Sequence, residues 1–145
     1  MISIIQRVSQ AKVTVETIDI GIIGPGIMAL LAIEKHDTPK HADRLLERML
    51  NYRIFADADG KMNLSLRDIQ GGLLVVPQFT LAADTEKGNR PSFASAAPPE
   101  QGRELFGYVQ QQALRIYPGA QFGQFGADMQ VALINDGPVT FTLRC

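Results

Sequence analysis

Two short stretches of this chain carry most of the residues that could do chemistry. The first is Pro77-Gln78-Phe79-Thr80-Leu81, with Lys87-Gly88-Asn89-Arg90-Pro91-Ser92-Phe93 just behind it. The second is Asn135-Asp136-Gly137-Pro138-Val139-Thr140. Thr80 supplies the hydroxyl of the first stretch. Either it is a nucleophile, or it is a β-branched residue at the end of a strand. Asn-Asp-Gly-Pro marks a tight turn, because Asn, Asp and Gly tolerate positive φ while Pro fixes φ. Pro138 brings no N–H to a central ladder, and a hairpin corner accounts for this stretch on composition alone.

The other familiar catalytic sets are missing. His36 and His41 flank the start of a predicted helix at different angles, a poor metal pair, and the single cysteine, Cys145, stands at the end of the chain, so there is no zinc pattern. The two histidines read as exposed polar residues. No Ser lies in a Gly-x-Ser-x-Gly elbow. Gly24-Pro25-Gly26 lacks the Gly-Lys-Ser/Thr of a phosphate loop, and Asp57 and Asp59 stand beside Gly60 without the rest of a calcium loop. The chain therefore reads as one with no obvious side-chain acid–base pair, no required metal and no cofactor.

The elements that must position these stretches are mostly strands. Ile2 to Val8 and Ala11 to Glu16 are β-rich with partial alternation and predict two strands joined by a short turn. Ile27 to Ile33 is a continuous apolar run, the pattern of a strand buried on both faces. Thr38 and Pro39 open a helix whose Ala42, Leu45, Leu46 and Met49 recur at helical spacing, with Lys40, Asp43, Arg44 and Glu47 turned away. Leu64 and Leu66 predict a short strand. Leu73 to Val76 predicts a buried strand that delivers Pro77 to Thr80 at its end, a place where binding groups are mounted on rigid scaffolds. Ala82 to Pro99 is a long polar connection, of the kind that is either functional or mobile. A second helix runs from about Pro99 to Tyr117, with Leu105, Phe106, Val109, Ala113 and Ile116 on its buried face, and Pro118-Gly119 ends it. Two last strands, Met129 to Ile134 and Val139 to Leu143, bracket Asn135 to Pro138. The fold class that follows is α+β: a mostly antiparallel β-sheet or barrel-like core with two main helices packed against it.

A chain of 145 residues, 46% hydrophobic and 20% charged, suits one globular domain, residues 1–145, with a serviceable core. No apolar run is long enough to span a bilayer, and Met1 to Arg7 lacks the basic-then-apolar order of a signal peptide. With its single thiol, the chain reads as cytoplasmic. The net charge of −1 argues against a long nucleic-acid footprint, because phosphate contacts normally demand a basic protein. Lys87, Arg90, Arg7 and Lys12 are local cations that either meet an RNA end or are solvated surface charges.

Taken together, the Pro77–Leu81 and Asn135–Thr140 stretches resemble the D-aminoacyl-tRNA deacylases. That family carries a Ser-Gln-Phe-Thr-Leu segment and an Asn-Asp-Gly-Pro-Val-Thr segment around one active site. Gln6-Arg7-Val8, Ile23-Gly24-Pro25-Gly26, Glu34-Lys35, Tyr52-Arg53-Ile54-Phe55, Gly60-Lys61-Met62-Asn63 and Phe125-Gly126-Ala127-Asp128-Met129 look like family segments in family order, over nearly the whole chain. Pro77 departs from the pattern, standing where the family usually has Ser.

The resemblance implies a β-barrel-like core and a homodimer that hydrolyses the ester of D-aminoacyl-tRNA at its acceptor end, and of glycine mischarged to tRNA. It implies that the 2′-OH of the terminal adenosine takes part in catalysis. Gln78, Phe79 and Thr80 would then form the catalytic segment. Backbone N–H groups around Phe79 and Thr80 would hold the ester or its developing oxyanion, Gln78 would shape the pocket, and Phe79 would either stack near the adenine or belong to the core. Asn135, Gly137 and Pro138 would bind substrate and select its chirality, with Gly137-Pro138 as a cis peptide reaching into the partner's pocket. Pro77, Phe125 and Met129 are candidate pocket walls. Two alternatives stay open from sequence: a noncatalytic module binding RNA ends or a small ligand, and a triad-based esterase.

Overall fold

The computed structural model describes residues 1–145. Its longest elements are two strands that lie side by side, β1 (Ile2–Val15) and β8 (Gln130–Arg144). Between them in sequence come β2 (Ile18–Ile23), β3 (Gly26–Ala32), α1 (Pro39–Asn51), β4 (Phe55–Ala56), β5 (Met62–Leu64), α2 (Leu66–Ile69), β6 (Gly72–Pro77), a 3-10 turn (Phe79–Ala82), α3 (Pro99–Ile116) and β7 (Gln121–Phe122). α1 and α3 are the two main helices expected, and α2 adds a single short turn. Leu66 therefore opens a helix rather than continuing a strand. Ser65 caps that helix, accepting from Asp68 N–H at 3.2 Å, while the Asp68 carboxylate accepts from Ser65 N–H at 2.8 Å.

The expected pair of N-terminal strands is one continuous strand. β1 pairs antiparallel with β3 through its first half and with β2 through its second, while β8 runs antiparallel along its other edge. Register shifts after Gln6 and Val8 against β8, and after Val13 against β2, are bulges that interrupt the in–out alternation. That interruption reads in the sequence as a turn.

The sheet is mixed. β6 joins β3 in parallel and β7 joins β6 in parallel. β2 also contacts β6 and β7, so the sheet curls nearly into a barrel. β6 shows why its sequence is a continuous apolar run. Leu73 and Val75 face a core shared with α1 and α3, whereas Leu74 and Val76 join Val8, Val13, Ile23 and Met28 in a second cluster. Burying a side chain of this size stabilises by about 1.5–3 kcal/mol, so both faces hold the strand rigidly. α1 contributes Leu45, Leu46, Met49 and Leu50 to the first core, and α3 contributes Leu105, Phe106, Val109 and Ala113.

Candidate active site

β6 carries the chain to Pro77, and the pairing ends with Leu31 opposite Pro77. Gln78 N–H donates to Leu31 carbonyl at 2.7 Å, the last rung before the backbone folds into the 3-10 turn. Within that turn Leu81 N–H reaches Gln78 carbonyl at 3.3 Å and Ala83 N–H reaches Thr80 carbonyl at 3.1 Å. The N–H groups of Phe79 and Thr80 stand at the start of the turn, where no turn carbonyl is available to them. Thr80 is thus part of a 3-10 turn, not of a strand end. Gln78 Nε2 donates to its Oγ at 2.6 Å, which fixes the hydroxyl beside the amide. Phe79 is 57% exposed, and its ring lies 5.1 Å from that of Phe93.

A cavity of about 270 Å³ lies beside the start of this turn. Pro77, Gln78 and Phe79 form one wall, and Leu31 and Ile33 of the neighbouring strand edge form another. Ala97, Pro99 and Gly102 bring the start of α3 to the cavity, and Phe125 and Gly126 close it. Gly102 is required by close packing: a Cβ there would sit 3.1 Å from Phe125 Cζ. None of the lining side chains titrates. The α3 N-terminus lends the site a partial positive charge, and Gln78 offers the one side-chain amide. Such a site can hold a mostly apolar group and orient a polar one, and it carries no acid or base of its own.

The second stretch lies elsewhere. Val8 pairs with Asn135 and Gln6 with Thr140, so Asp136 to Val139 bulge out of β8 opposite Arg7 alone. The expected hairpin corner between two strands is therefore a bulge inside one long strand. Its partner is β1, not its own continuation. Asn135 Oδ1 accepts from Val139 N–H at 2.8 Å and Asn135 Nδ2 donates to Thr140 Oγ at 2.9 Å, which ties the bulge across its base. Arg7 Nε donates to Asp136 carbonyl at 3.0 Å and Nη1 to Ile54 carbonyl at 2.7 Å. Val139 is buried at 6%, while Asp136, Gly137 and Pro138 are exposed. The Gly137-Pro138 peptide is cis, and Gly137 has φ +142°, a conformation that favours glycine.

One chain therefore brings Pro77, Gln78, Phe79 and Phe125 together around one cavity, with Thr80 held beside Gln78. Asn135, Gly137 and Pro138 do not line that cavity. Met129 sits behind it: a Cβ on Gly123 would meet Met129 Sδ at 2.9 Å and Pro77 Cδ at 3.1 Å. The cations divide too. Arg7 is a brace with a side chain 16% exposed, Lys12 pairs with Asp19 at 3.2 Å, and Lys87 and Arg90 lie exposed in the connection before α3. His41 accepts from Thr38 N–H at 3.0 Å and completes the cap of α1. No three His, Cys, Asp or Glu side chains converge in a metal-holding group, and no helix is long and apolar enough to cross a membrane.

Sequence reasoning missed Leu31, Ile33 and Gly102 as cavity walls and Arg7 as the brace of the bulge. A glycine inside a strongly helical pattern was the available signal for Gly102. Nothing local marks Arg7, whose partners are far away in sequence. The groups with displaced pKa values all lie outside the cavity. Hydrogen bonds from Lys61 N–H and the Asn63 amide hold the Asp57 carboxyl below the usual range, bonds from Ser65 do so for Asp68, and burial raises Tyr117.

Residues 4–144 match the family model described as D-Tyr-tRNA(Tyr) deacylase. A protein of Nitrosococcus oceani named D-aminoacyl-tRNA deacylase is 59% identical over 99% of this chain and 93% of its own length. One of the same name from Pseudomonas entomophila is 58% identical over 99% of both chains. Among solved structures, one titled c-Myc DNA Unwinding Element Binding Protein is 40% identical, with a TM-score of 0.95 over 100% of this chain and 99% of that one. Another, titled as a probable eukaryotic D-amino acid tRNA deacylase, is 17% identical and shares the fold at a TM-score of 0.85 over 99% of this chain and 98% of that one.

Proposed function

This chain belongs to the D-Tyr-tRNA(Tyr) deacylase family, and we propose that it is an editing hydrolase that cleaves the ester joining a D-amino acid to the 3′ end of tRNA. The observation that carries the reading is the cavity beside Gln78 and Phe79: apolar walls, one amide and no titratable side chain, next to Phe79 and Thr80 N–H groups that donate to no backbone carbonyl. An aminoacyl ester is already activated, so positioning and oxyanion stabilisation suffice if the substrate supplies the rest. Water adds to the ester carbonyl carbon, the bond to the ribose oxygen breaks, and that oxygen leaves with one of the water's protons while the other passes to solvent and the amino acid is freed as its carboxylate. The neighbouring 2′-OH of the terminal adenosine assists the proton movements that no side chain here can perform. Backbone N–H groups of Phe79 and Thr80 face the developing oxyanion.

Chirality is read by Asn135, Gly137 and Pro138. Gly137 and Pro138 protrude from β8 while Asn135 holds the base of the bulge, and all three lie outside the cavity of their own chain, so they act on the cavity of a second copy in a homodimer. The carbonyls of Gly137 and Pro138 bind the substrate's α-amino group and leave no room for an L side chain, a steric exclusion that discriminates better than attraction alone. Glycine, with no side chain to exclude, is cleaved as well. The enzyme works in the cytoplasm without a metal.

Release of amino acid from D-tyrosyl-tRNA, beside L-tyrosyl-tRNA and a nitrophenyl ester, tests the reading. Turnover of the D form alone, unchanged by exhaustive chelation, is expected. Binding of tRNA without release would indicate a noncatalytic module. Preference for the nitrophenyl ester would indicate a general esterase, and activity lost on chelation and restored by zinc would overturn the metal-free chemistry.

A further inference from the structure

Arg103 lies one residue beyond the last α3 residue that lines the cavity. Its guanidinium carbon stands 5.2 Å from the centroid of Phe125, a cavity wall. Phe125 is itself seated firmly. It packs against Gly102, where a Cβ would meet it at 3.1 Å, and lies 6.2 Å from the Phe106 ring. Arg103 Nη2 comes within 3.6 Å of where a Cβ on Gly126 would be, so the guanidinium covers the Phe125-Gly126 corner. A guanidinium stacked on a fixed ring loses less freedom on binding than a solvated lysine.

Arg67, Arg90, Arg103 and Arg144 have no side-chain partner within the chain, and what sets Arg103 apart among them is its place over Phe125, a wall of the cavity. Arg7, Arg44, Arg53 and Arg115 each donate hydrogen bonds within the chain. Arg103 does not, and neither Glu100 nor Glu104 on the same helix comes within ion-pair distance of it. An ordered, unpaired cation at the mouth of an apolar cavity is suited to an anion attached to whatever fills that cavity. The positive end of α3 lies on the same side. A nucleoside in the cavity is joined to the rest of an RNA by a phosphodiester, the geometry a planar guanidinium matches. A single contact of this kind also fits a chain with net charge −1.

We infer that Arg103 is a positioning residue that grips a backbone phosphate of the RNA acceptor end while the terminal nucleoside occupies the cavity. The inference rests on the deacylase reading and adds a residue to it. Its test compares wild type, Arg103→Ala and Arg103→Lys in steady-state hydrolysis of D-tyrosyl-tRNA, and in binding of an uncharged acceptor-stem minihelix across a salt series. Arg103 is exposed, so the melting temperature of Arg103→Ala should match wild type. Arg103→Ala should raise KM and the minihelix Kd about fivefold, the scale of one exposed ion pair, with kcat unchanged. The slope of log affinity against log salt should shrink by about 0.7 to 1. Arg103→Lys should keep the slope and recover part of the affinity. An active wild type with an unchanged KM and salt slope in Arg103→Ala would overturn this inference alone. A loss confined to kcat would also overturn it. A wild type that neither binds nor hydrolyses would remove the deacylase reading and this inference together.

Discussion

The two stretches proposed to carry the chemistry are built in opposite ways. Pro77 to Thr80 closes a strand buried on both faces and turns into a cavity walled by β3 and α3. Asp136 to Pro138 leave a long edge strand as an exposed bulge, held at its base by a few hydrogen bonds from Asn135 and Arg7. One is concave, apolar and supported from behind. The other is convex, polar and supported from below. Shapes of this kind complement each other, yet one chain keeps them apart, which is why the proposed mechanism needs two copies.

Breaking the convex side should have the largest effect. A Cβ on Gly137 would lie 2.6 Å from Val139 Cγ2 and 3.0 Å from Val139 N. Gly137→Ala should lower D-tyrosyl-tRNA hydrolysis by about a hundredfold, since displacements near 1 Å have that scale of effect. Its unfolding free energy from urea titration should fall only modestly, by about 1–3 kcal/mol of local strain. Loss of stability without loss of rate would show the bulge to be structural only.

Removing the brace should cost less. Arg7→Ala leaves Ile54 carbonyl and Asp136 carbonyl without their donor. We expect a destabilisation of about 1–3 kcal/mol by urea unfolding and about a tenfold drop in rate, smaller than for Gly137→Ala because the backbone conformation itself is kept. Arg7→Lys should not restore either, because one ammonium cannot reproduce the fork.

On the concave side, Thr80→Ala should keep at least about a tenth of the wild-type rate. A protein nucleophile would instead lose on the order of a millionfold, the scale seen when a catalytic unit is broken. The matching substrate is tRNA ending in 2′-deoxyadenosine with the amino acid on the 3′-OH. Its turnover should fall steeply, and full turnover would contradict RNA assistance.

The smallest effect is expected at Pro77. Proline ends β6 without a donor, and the strand end accepts it, since Gln78 makes the last hydrogen bond to Leu31. Pro77→Ser should leave the rate similar or raise it, and a collapse would show that the wall depends on the pyrrolidine ring.

The concave region was the more legible in the sequence. Apolar runs predicted β3 and β6, helical spacing predicted α1 and α3, and the strand leading to Gln78 is where it was expected. The 3-10 turn was not, because Thr80 has high strand propensity and the turn depends on Leu31 capturing Gln78 N–H. The convex region was misread in shape. Asn-Asp-Gly-Pro marks a local break in the regular strand, but the chain does not reverse there. Whether the chain then forms a hairpin or rejoins the same strand depends on pairing with β1, far away in sequence. Arg7 and Ile54 meet the bulge only through that pairing.

Mixed dimers test the central claim most directly. Gly137→Val spoils the convex side and leaves the cavity intact, whereas Phe79→Glu, at an exposed position, puts a carboxylate at the cavity and leaves the bulge intact. Each variant alone should be inactive on D-tyrosyl-tRNA. Co-expressed in equal amounts, they should regain about a quarter of wild-type activity, because half the dimers are then mixed and each mixed dimer has one intact site of two. Mixed dimers that remain as inactive as the parents would show that cavity and bulge do not meet across two copies, and would contradict the account.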